Sequence, residues 1–180
     1  MTRWLVWSVM MCLTASCGGD TTPDAAEADG RCVWNQAYQE NTAADTVEAI
    51  LAGAQGCYVL IDPFEAAEAA DAIPALQTAG NTVGCYISVG TCEDWRSDFA
   101  DRQAHCTTTE WAEWPGEFFV TDTDGMLAPI KARIDQLAEW GCDMVEFDNM
   151  DWASDPEQNG AFGVALSPED AVAYYQALCD

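Results

Sequence analysis

Gly141-Cys142-Asp143-Met144-Val145-Glu146-Phe147-Asp148-Asn149-Met150-Asp151 is the stretch on which the fold turns. Asp143 to Phe147 reads as a short buried strand that runs into a loop of acids and an amide. Side chains alternate between the faces of a strand, so Met144, Glu146 and Asp148 share one face and Val145 and Phe147 the other. Asn149 and Asp151 follow just beyond its end. Like charges packed this closely repel one another, and a soluble fold keeps them mainly where a site uses them. A polar turn is the plainer alternative, since Asp and Asn are common turn residues. If a site is present, it lies at the carboxyl end of a parallel strand, where α/β folds carry their chemistry.

Upstream, Cys57-Tyr58-Val59-Leu60-Ile61 is a continuous apolar run ending at Asp62-Pro63, and Thr82 to Ser88 is another, led out by Val89-Gly90-Thr91. Such runs suit strands buried on both faces, hence a parallel sheet. Cys32 to Tyr38 reads as a shorter first strand. Between the strands, Ala43 to Ala54 has helical spacing, with Val47, Ile50 and Leu51 on one face. Glu65 to Ala79 is helical by propensity, with Pro74 expected to kink or divide it. Gly125 to Trp140 is a third helix, capped by Gly141, and Ser167-Pro168-Glu169-Asp170 opens a fourth with Ser at the N-cap. Cys92 to Pro115 reads as a long connecting segment carrying Trp95, Trp111 and Trp114. Strand and helix alternate four times, which makes the class α/β with parallel strands. Spacing alone does not separate an open sheet from a barrel. No GxGxxG, GxSxG or P-loop pattern is present.

The chain has 180 residues, with 31 Asp plus Glu against 6 Lys plus Arg and a net charge of −25. It therefore lacks the basic surface that nucleic acid needs to displace its counterions, and nucleic acid is not an expected partner. A cationic ligand is attracted to such a surface, although acidity also serves solubility or adaptation to salt.

The N-terminus carries an export pattern. Arg3 precedes an apolar run, Trp4 to Ala15, that is too short to span a bilayer. It closes on Leu13-Thr14-Ala15-Ser16-Cys17, which resembles the lipobox of bacterial lipoproteins. Residues 1–16 are read as the signal peptide, Cys17 as the lipidated residue, 17–31 as a flexible tether and 32–180 as the folded domain. The protein is then exported and lipid-anchored in the cell envelope, touching the membrane only through that anchor, or secreted if cleavage is of the ordinary kind. Of the nine cysteines, seven follow Cys17. An oxidising compartment favours disulfides, and Cys92 with Cys106, bracketing one loop, is the best pair. Seven is odd, so at least one thiol is expected to lack a partner in the chain. Zinc has little support, with no CxxC and His105 the only histidine.

Three segments, in order, carry a family resemblance. The first is Val59-Leu60-Ile61-Asp62. The second runs from Cys85-Tyr86-Ile87-Ser88-Val89-Gly90-Thr91-Cys92-Glu93-Asp94-Trp95-Arg96 to Trp114-Pro115-Gly116-Glu117. The third is the stretch quoted at the outset, followed by Leu166-Ser167-Pro168-Glu169-Asp170 and Tyr174. From about Trp34 to its end the chain resembles family 114 glycoside hydrolases, the endo-α-1,4-polygalactosaminidases, which are (β/α)8 TIM-type barrels. The resemblance implies hydrolysis of an α-1,4-linked galactosamine polymer, with Asp148 one of two catalytic carboxyl groups. It also places Asp62, Glu93, Arg96, Glu146, Asn149 and Asp151 around the cleft, with Trp34, Tyr86 and Trp95 offering flat faces to sugar rings. No cofactor is implied.

A (β/α)8 barrel takes about 250 residues, and this domain holds four βα units, so the barrel is expected to be incomplete, or to be a half that pairs with another copy. The family's partner carboxylate is a Glu on a later strand. Within this chain Glu146, on the same strand face as Asp148, is the first stand-in, with Asp151, Asp62 and Glu93 as others. Glycoside cleavage uses one protonated and one ionised carboxyl, and crowding acids together keeps one of them protonated. Two other functions are open to the same residues. One is a non-catalytic carbohydrate-binding surface lipoprotein that lacks the second carboxylate. The other, weaker, is a calcium site at Glu146, Asp148 and Asp151, without the regular ligand spacing such loops show.

Overall fold

A computed structural model describes residues 12–13, 31–37, 47–65, 67–155, 160, 163–164 and 166–180. Apart from Cys12–Leu13 and Arg31, the segments read as signal peptide, lipidated Cys17 and tether lie outside these residues. In chain order the elements are β1 (Cys12–Leu13), β2 (Val33–Asn35), α1 (Val47–Gly53), β3 (Tyr58–Ile61), α2 (Ala67–Thr78), β4 (Thr82–Ser88), β5 (Thr91–Glu93), α3 (Phe99–Arg102), β6 (Glu117–Phe119), α4 (Thr123–Trp140), β7 (Met144–Asp148) and α5 (Pro168–Cys179). The main sheet has the order β1-β7-β4-β3-β2. The four strands expected from the apolar runs, β2, β3, β4 and β7, pair in parallel, each beside its neighbour in sequence. Cys12–Leu13 lies antiparallel on the outer edge of β7.

The register sorts the side chains. Trp34, Val59 and Val83 stand side by side on one face, followed by Ile61, Cys85 and Val145, then Ile87 and Phe147. This face carries the core, packed against Ile50 of α1, Ile73 and Leu76 of α2, Met126, Ile130 and Leu137 of α4, and Tyr174 and Leu178 of α5. The opposite face carries Leu60, Gly84, Met144, Tyr86, Glu146, Ser88 and Asp148. Apolar burial on one face therefore aims the polar residues at the strand ends to the other.

The caps follow the local chemistry. Gly141 ends α4 at φ 85°, a left-handed conformation glycine adopts without a Cβ clash. Ser167 and Asp170 form a reciprocal capping box at the start of α5, with Pro168 in the first turn. Of the two outcomes expected at Pro74, a kink or a division, the helix is not divided. α2 runs through it from Ala67 to Thr78, and the interior side chains Ile73 and Leu76 hold both halves on the sheet.

The segment from Cys92 to Pro115 also differs from expectation. It is not one loop: β5 pairs antiparallel with β6, Thr91 opposite Phe119 and Glu93 opposite Glu117, and α3 lies between them. A bond between Cys92 and Cys106 ties this excursion together (S–S 2.04 Å). Cys32 is bonded to Cys57 and Cys85 to Cys142. Cys179 is disulfide-bonded too, so none of the seven cysteines after Cys17 is a free thiol, against the expectation from the odd count. Among the described residues no helix is long and apolar enough to cross a membrane.

Candidate active site

A cavity of about 440 Å³ opens at the carboxyl ends of the parallel strands. Asp62 enters it from the end of β3, Tyr86 from β4, Asp148 and Asn149 from the end of β7, and Glu93, Trp95, Arg96, Trp111, Trp114 and Glu117 from the β5–β6 excursion. The floor is acidic and the rim aromatic. Trp95 and Trp114 are about half exposed, at 51% and 56%, whereas tryptophan is usually well buried. Gly116, at φ 90°, underlies one of them: a Cβ built there comes within 2.9 Å of the Trp95 ring. Trp111 is anchored from behind by Phe119, ring centroids 5.0 Å apart.

Three of the six residues of type Lys or Arg converge on one carboxylate. Glu93 is 2% exposed. It accepts from Arg96 Nε at 3.0 Å and Nη2 at 2.8 Å, and from Arg133 Nη1 at 3.3 Å. Arg102 Nη2 lies 3.7 Å away. Arg96 also donates to Asp62, whose Oδ1 in addition receives the backbone N–H groups of Phe64 and Glu65. Burial opposes the Arg96 charge, yet its hydrogen bonds to Asp62 and the nearby Glu93 hold it more firmly protonated than a free guanidinium. Asp62 and Glu93 therefore reach the cavity already neutralised. Asp148 and Glu117 are the buried or half-buried wall carboxyl groups without such a partner, and Glu65 is an exposed one.

Asp148 accepts from the Tyr86 hydroxyl at 3.1 Å. Burial raises its pKa, the Asn149 backbone N–H and Tyr86 pull the other way, and the charges of Asp151 and Glu93 push it up again, leaving it above the ordinary range. Glu117 is 6% exposed. Burial raises its pKa most, Thr91 and Arg96 oppose, and Glu93 and Asp148 add to the rise, so it titrates at about 7. Both carboxyl groups are thus held protonated further up the pH scale than their ordinary values.

Asn149 stands between them in the left-handed region at φ 66°, the sole non-glycine there among the described residues. Its amide donates to Ser88 Oγ at 3.0 Å and approaches Tyr86 Oη at 3.4 Å and Glu117 Oε2 at 3.5 Å. Its backbone is pressed onto Gly90, where a Cβ would fall 1.4 Å from the Asn149 carbonyl oxygen. Gly90→Ala is therefore expected to move the Asp148–Asn149 turn and to destabilise the fold by about 1–3 kcal/mol, read as a lowered urea midpoint. An unchanged midpoint would mean that this close approach does not matter.

The structure thus gathers Asp148, Asn149, Asp62, Tyr86, Glu93 and Arg96 at the cavity. Glu146 and Asp151 are not in its wall. Glu146 does share a strand face with Asp148, but it sits two residues back, about 7 Å down the strand. Asp151, itself exposed, begins a 3-10 turn beyond Asn149. The expectation for Trp34 is corrected. Its register with Val59 and Val83 turns it to the helix face, where its ring meets Gly53 of α1 at a built-Cβ distance of 3.1 Å. Glu117 was not singled out by its surroundings in sequence; the signal was its place at the end of Trp114-Pro115-Gly116-Glu117. Among the described residues no group of three His, Cys, Asp or Glu side chains is arranged to hold a metal ion.

The model of glycoside-hydrolase family GH114 matches residues 24–180. Aspergillus fumigatus Ega3, whose structure is a complex with galactosamine, superposes with a TM-score of 0.61 at 24% identity, over 89% of this chain and 59% of that one. The glycoside hydrolase domain of PelA from Pseudomonas aeruginosa gives 0.51 at 16% identity, over 83% and 52%. The chain therefore spans between about half and three-fifths of the length of these two structures. No curated protein matches it. With the family model covering all but the first residues, the chain belongs to glycoside-hydrolase family GH114.

Proposed function

We propose that the protein hydrolyses an α-1,4-linked galactosamine polymer at the cavity, with Asp148 as the ionised carboxylate at the reacting carbon. The observation that carries this is that Asp148, with no arginine on its carboxylate, faces a tryptophan-rimmed cavity at the carboxyl ends of the strands. Glycoside cleavage needs a carboxylate on one side of the sugar and a proton for the leaving oxygen. Asp148 faces the cavity without an arginine partner, so its charge is available to an oxocarbenium-like centre. The choice of an amino sugar rests on charge. The protein carries −25 overall, and Arg96, Arg102 and Arg133 are spent inside it. A polymer bearing ammonium groups is drawn to such a surface, and galactosamine is the sugar in the Ega3 structure. The three disulfides described above, and the bonded state of Cys179, suit export, and we place the anchor at Cys17.

The test is to incubate the full chain with deacetylated α-1,4-galactosamine polymer and with its fully acetylated counterpart, following new reducing ends and product masses. Release of oligomers from the deacetylated polymer supports the assignment. Retention of polymer with no new reducing ends replaces it by binding without catalysis.

Trp95 and Trp114 are read as the stacking faces for flanking sugar rings. Trp95→Ala and Trp114→Ala are each expected to weaken oligomer binding by about 1 kcal/mol, roughly fivefold in Kd, by titration calorimetry. Affinity unchanged in both would remove the rim from the binding site.

A further inference from the structure

We propose that Glu117 is a positioning residue, which holds Asn149 and, through Tyr86, Asp148 by way of a directed chain of hydroxyl hydrogen bonds. It rests on Asp148 being the reacting carboxylate and gives the site a second layer.

The direction of the chain follows from counting protons. Ser88 Oγ accepts two N–H groups, the backbone N–H of Thr91 at 3.2 Å and the Asn149 amide at 3.0 Å. Its own proton is therefore free to go to Thr91 Oγ1, to which it is hydrogen-bonded. Thr91 Oγ1 in turn donates to Glu117 Oε2 at 2.6 Å. The chain thus runs from Asn149 through Ser88 and Thr91 and ends on Glu117. Ser88 and Thr91 are wholly buried, so water does not compete for these bonds. A buried chain of this kind polarises link by link and has one low-energy arrangement. The other end of Asn149 is fixed by its backbone against Gly90, and its amide also reaches the hydroxyl that donates to Asp148. Glu117 is the one titratable member. Glu93 and Asp148 face it as negative neighbours and Arg96 as the positive one. When Glu117 ionises, the terminal acceptor gains charge and every donor in the chain is pulled toward it.

A merely structural Glu117 and one that tunes Asp148 differ in what a neutral isostere does. Glu117→Gln keeps an acceptor for Thr91 and removes the titration. It is expected to keep kcat/KM within about threefold of wild type in acid, where Glu117 is already neutral, and to lose the change in kcat/KM centred near pH 7. Glu117→Ala cuts the chain and is expected to lower kcat by about 10²-fold at every pH, with KM little changed. A Glu117→Gln variant as inactive as Asp148→Asn would overturn the proposal by making Glu117 the proton donor itself, as would a Glu117→Ala variant with wild-type kcat.

Carboxyl and ring 13C NMR decides the matter without turnover. In the wild type the Asp148 carboxyl and Tyr86 Cζ signals are expected to show a step near pH 7 that vanishes in Glu117→Gln. No such step would refute the coupling, whatever the polymer experiment shows. A step in a chain that cleaves no polymer would refute the hydrolase assignment and leave the coupling standing.

Discussion

Asp148→Asn is expected to lower polymer cleavage by about 10²- to 10⁴-fold while leaving oligomer affinity and the fold nearly intact. The amide is isosteric, and Tyr86 Oη still finds an acceptor in its carbonyl oxygen. What disappears is the negative charge at the reacting carbon. Stability should not fall. The Asp148 carboxyl titrates higher in the folded chain than its ordinary value, so the native state holds its proton after the unfolded chain has lost one. Stability contributed by this group therefore drops as pH rises from the ordinary value to the folded one. A neutral Asn removes that loss, and the variant should melt at the wild-type temperature or higher at neutral pH. The two readouts separate the explanations. Lost activity with an unchanged melt and unchanged affinity places Asp148 in the chemistry. Activity close to wild type would show that the cavity works through another carboxylate.

The same cavity shows which parts of the molecule sequence could announce. β3 and β4 were legible because strands buried on both faces need unbroken apolar runs, and 57–61 and 82–88 supply them, while 143–147 showed β7 through Met144, Val145 and Phe147 between a helix cap and an acidic loop. The parity of the last run correctly put Glu146 and Asp148 on one face. Parity does not report depth, so nothing in it separated the residue at the rim from the one a repeat further in. Trp34 failed for a related reason. A three-residue strand has too little alternation to fix its register, and that register alone turns the ring to the helices. Glu117 lay beyond reach because β5 and β6 are short, antiparallel and joined by a long excursion. Their pairing depends on contacts far apart in sequence, and no periodicity marks it. The three-arginine environment of Glu93 is likewise assembled from β5, α3, α4 and a turn.

Glu93→Gln is the second large effect, and it falls on stability. A buried ion cluster is weak evidence for stability as long as it stays whole, because desolvation offsets most of the attraction. Removing one member is different, since the remaining charges stay buried and uncompensated. In this variant Arg96 keeps Asp62, and Arg133 keeps Asp98, which it grips through two bonds of 2.7 Å. Burial pushes the Asp98 carboxyl up, but Arg133 holds it below the ordinary range. Arg102 keeps nothing of that kind. It is wholly buried, donates only to the Thr91 carbonyl at 3.2 Å, and has Nε and Nη1 without partners among the described residues. Burial and then the like charge of Arg133 already bring its pKa down to about 10, with Asp98 and Glu93 opposing the fall. Take Glu93 away and the buried one of the two anionic supports of Arg102 is lost while Arg133 and Arg96 still repel it. The expected cost is about 3–5 kcal/mol, against a total of about 5–15 kcal/mol for a typical domain, read as the shift in denaturation midpoint with disulfides intact. Asp98→Asn, at the more exposed end of the network, should cost less, since Glu93 still faces Arg133. If Glu93→Gln costs no more than Asp98→Asn, the cluster is not organised around Glu93, and the placement of Arg96 and Asp62 in the cavity wall must come from the β3–α2 turn alone.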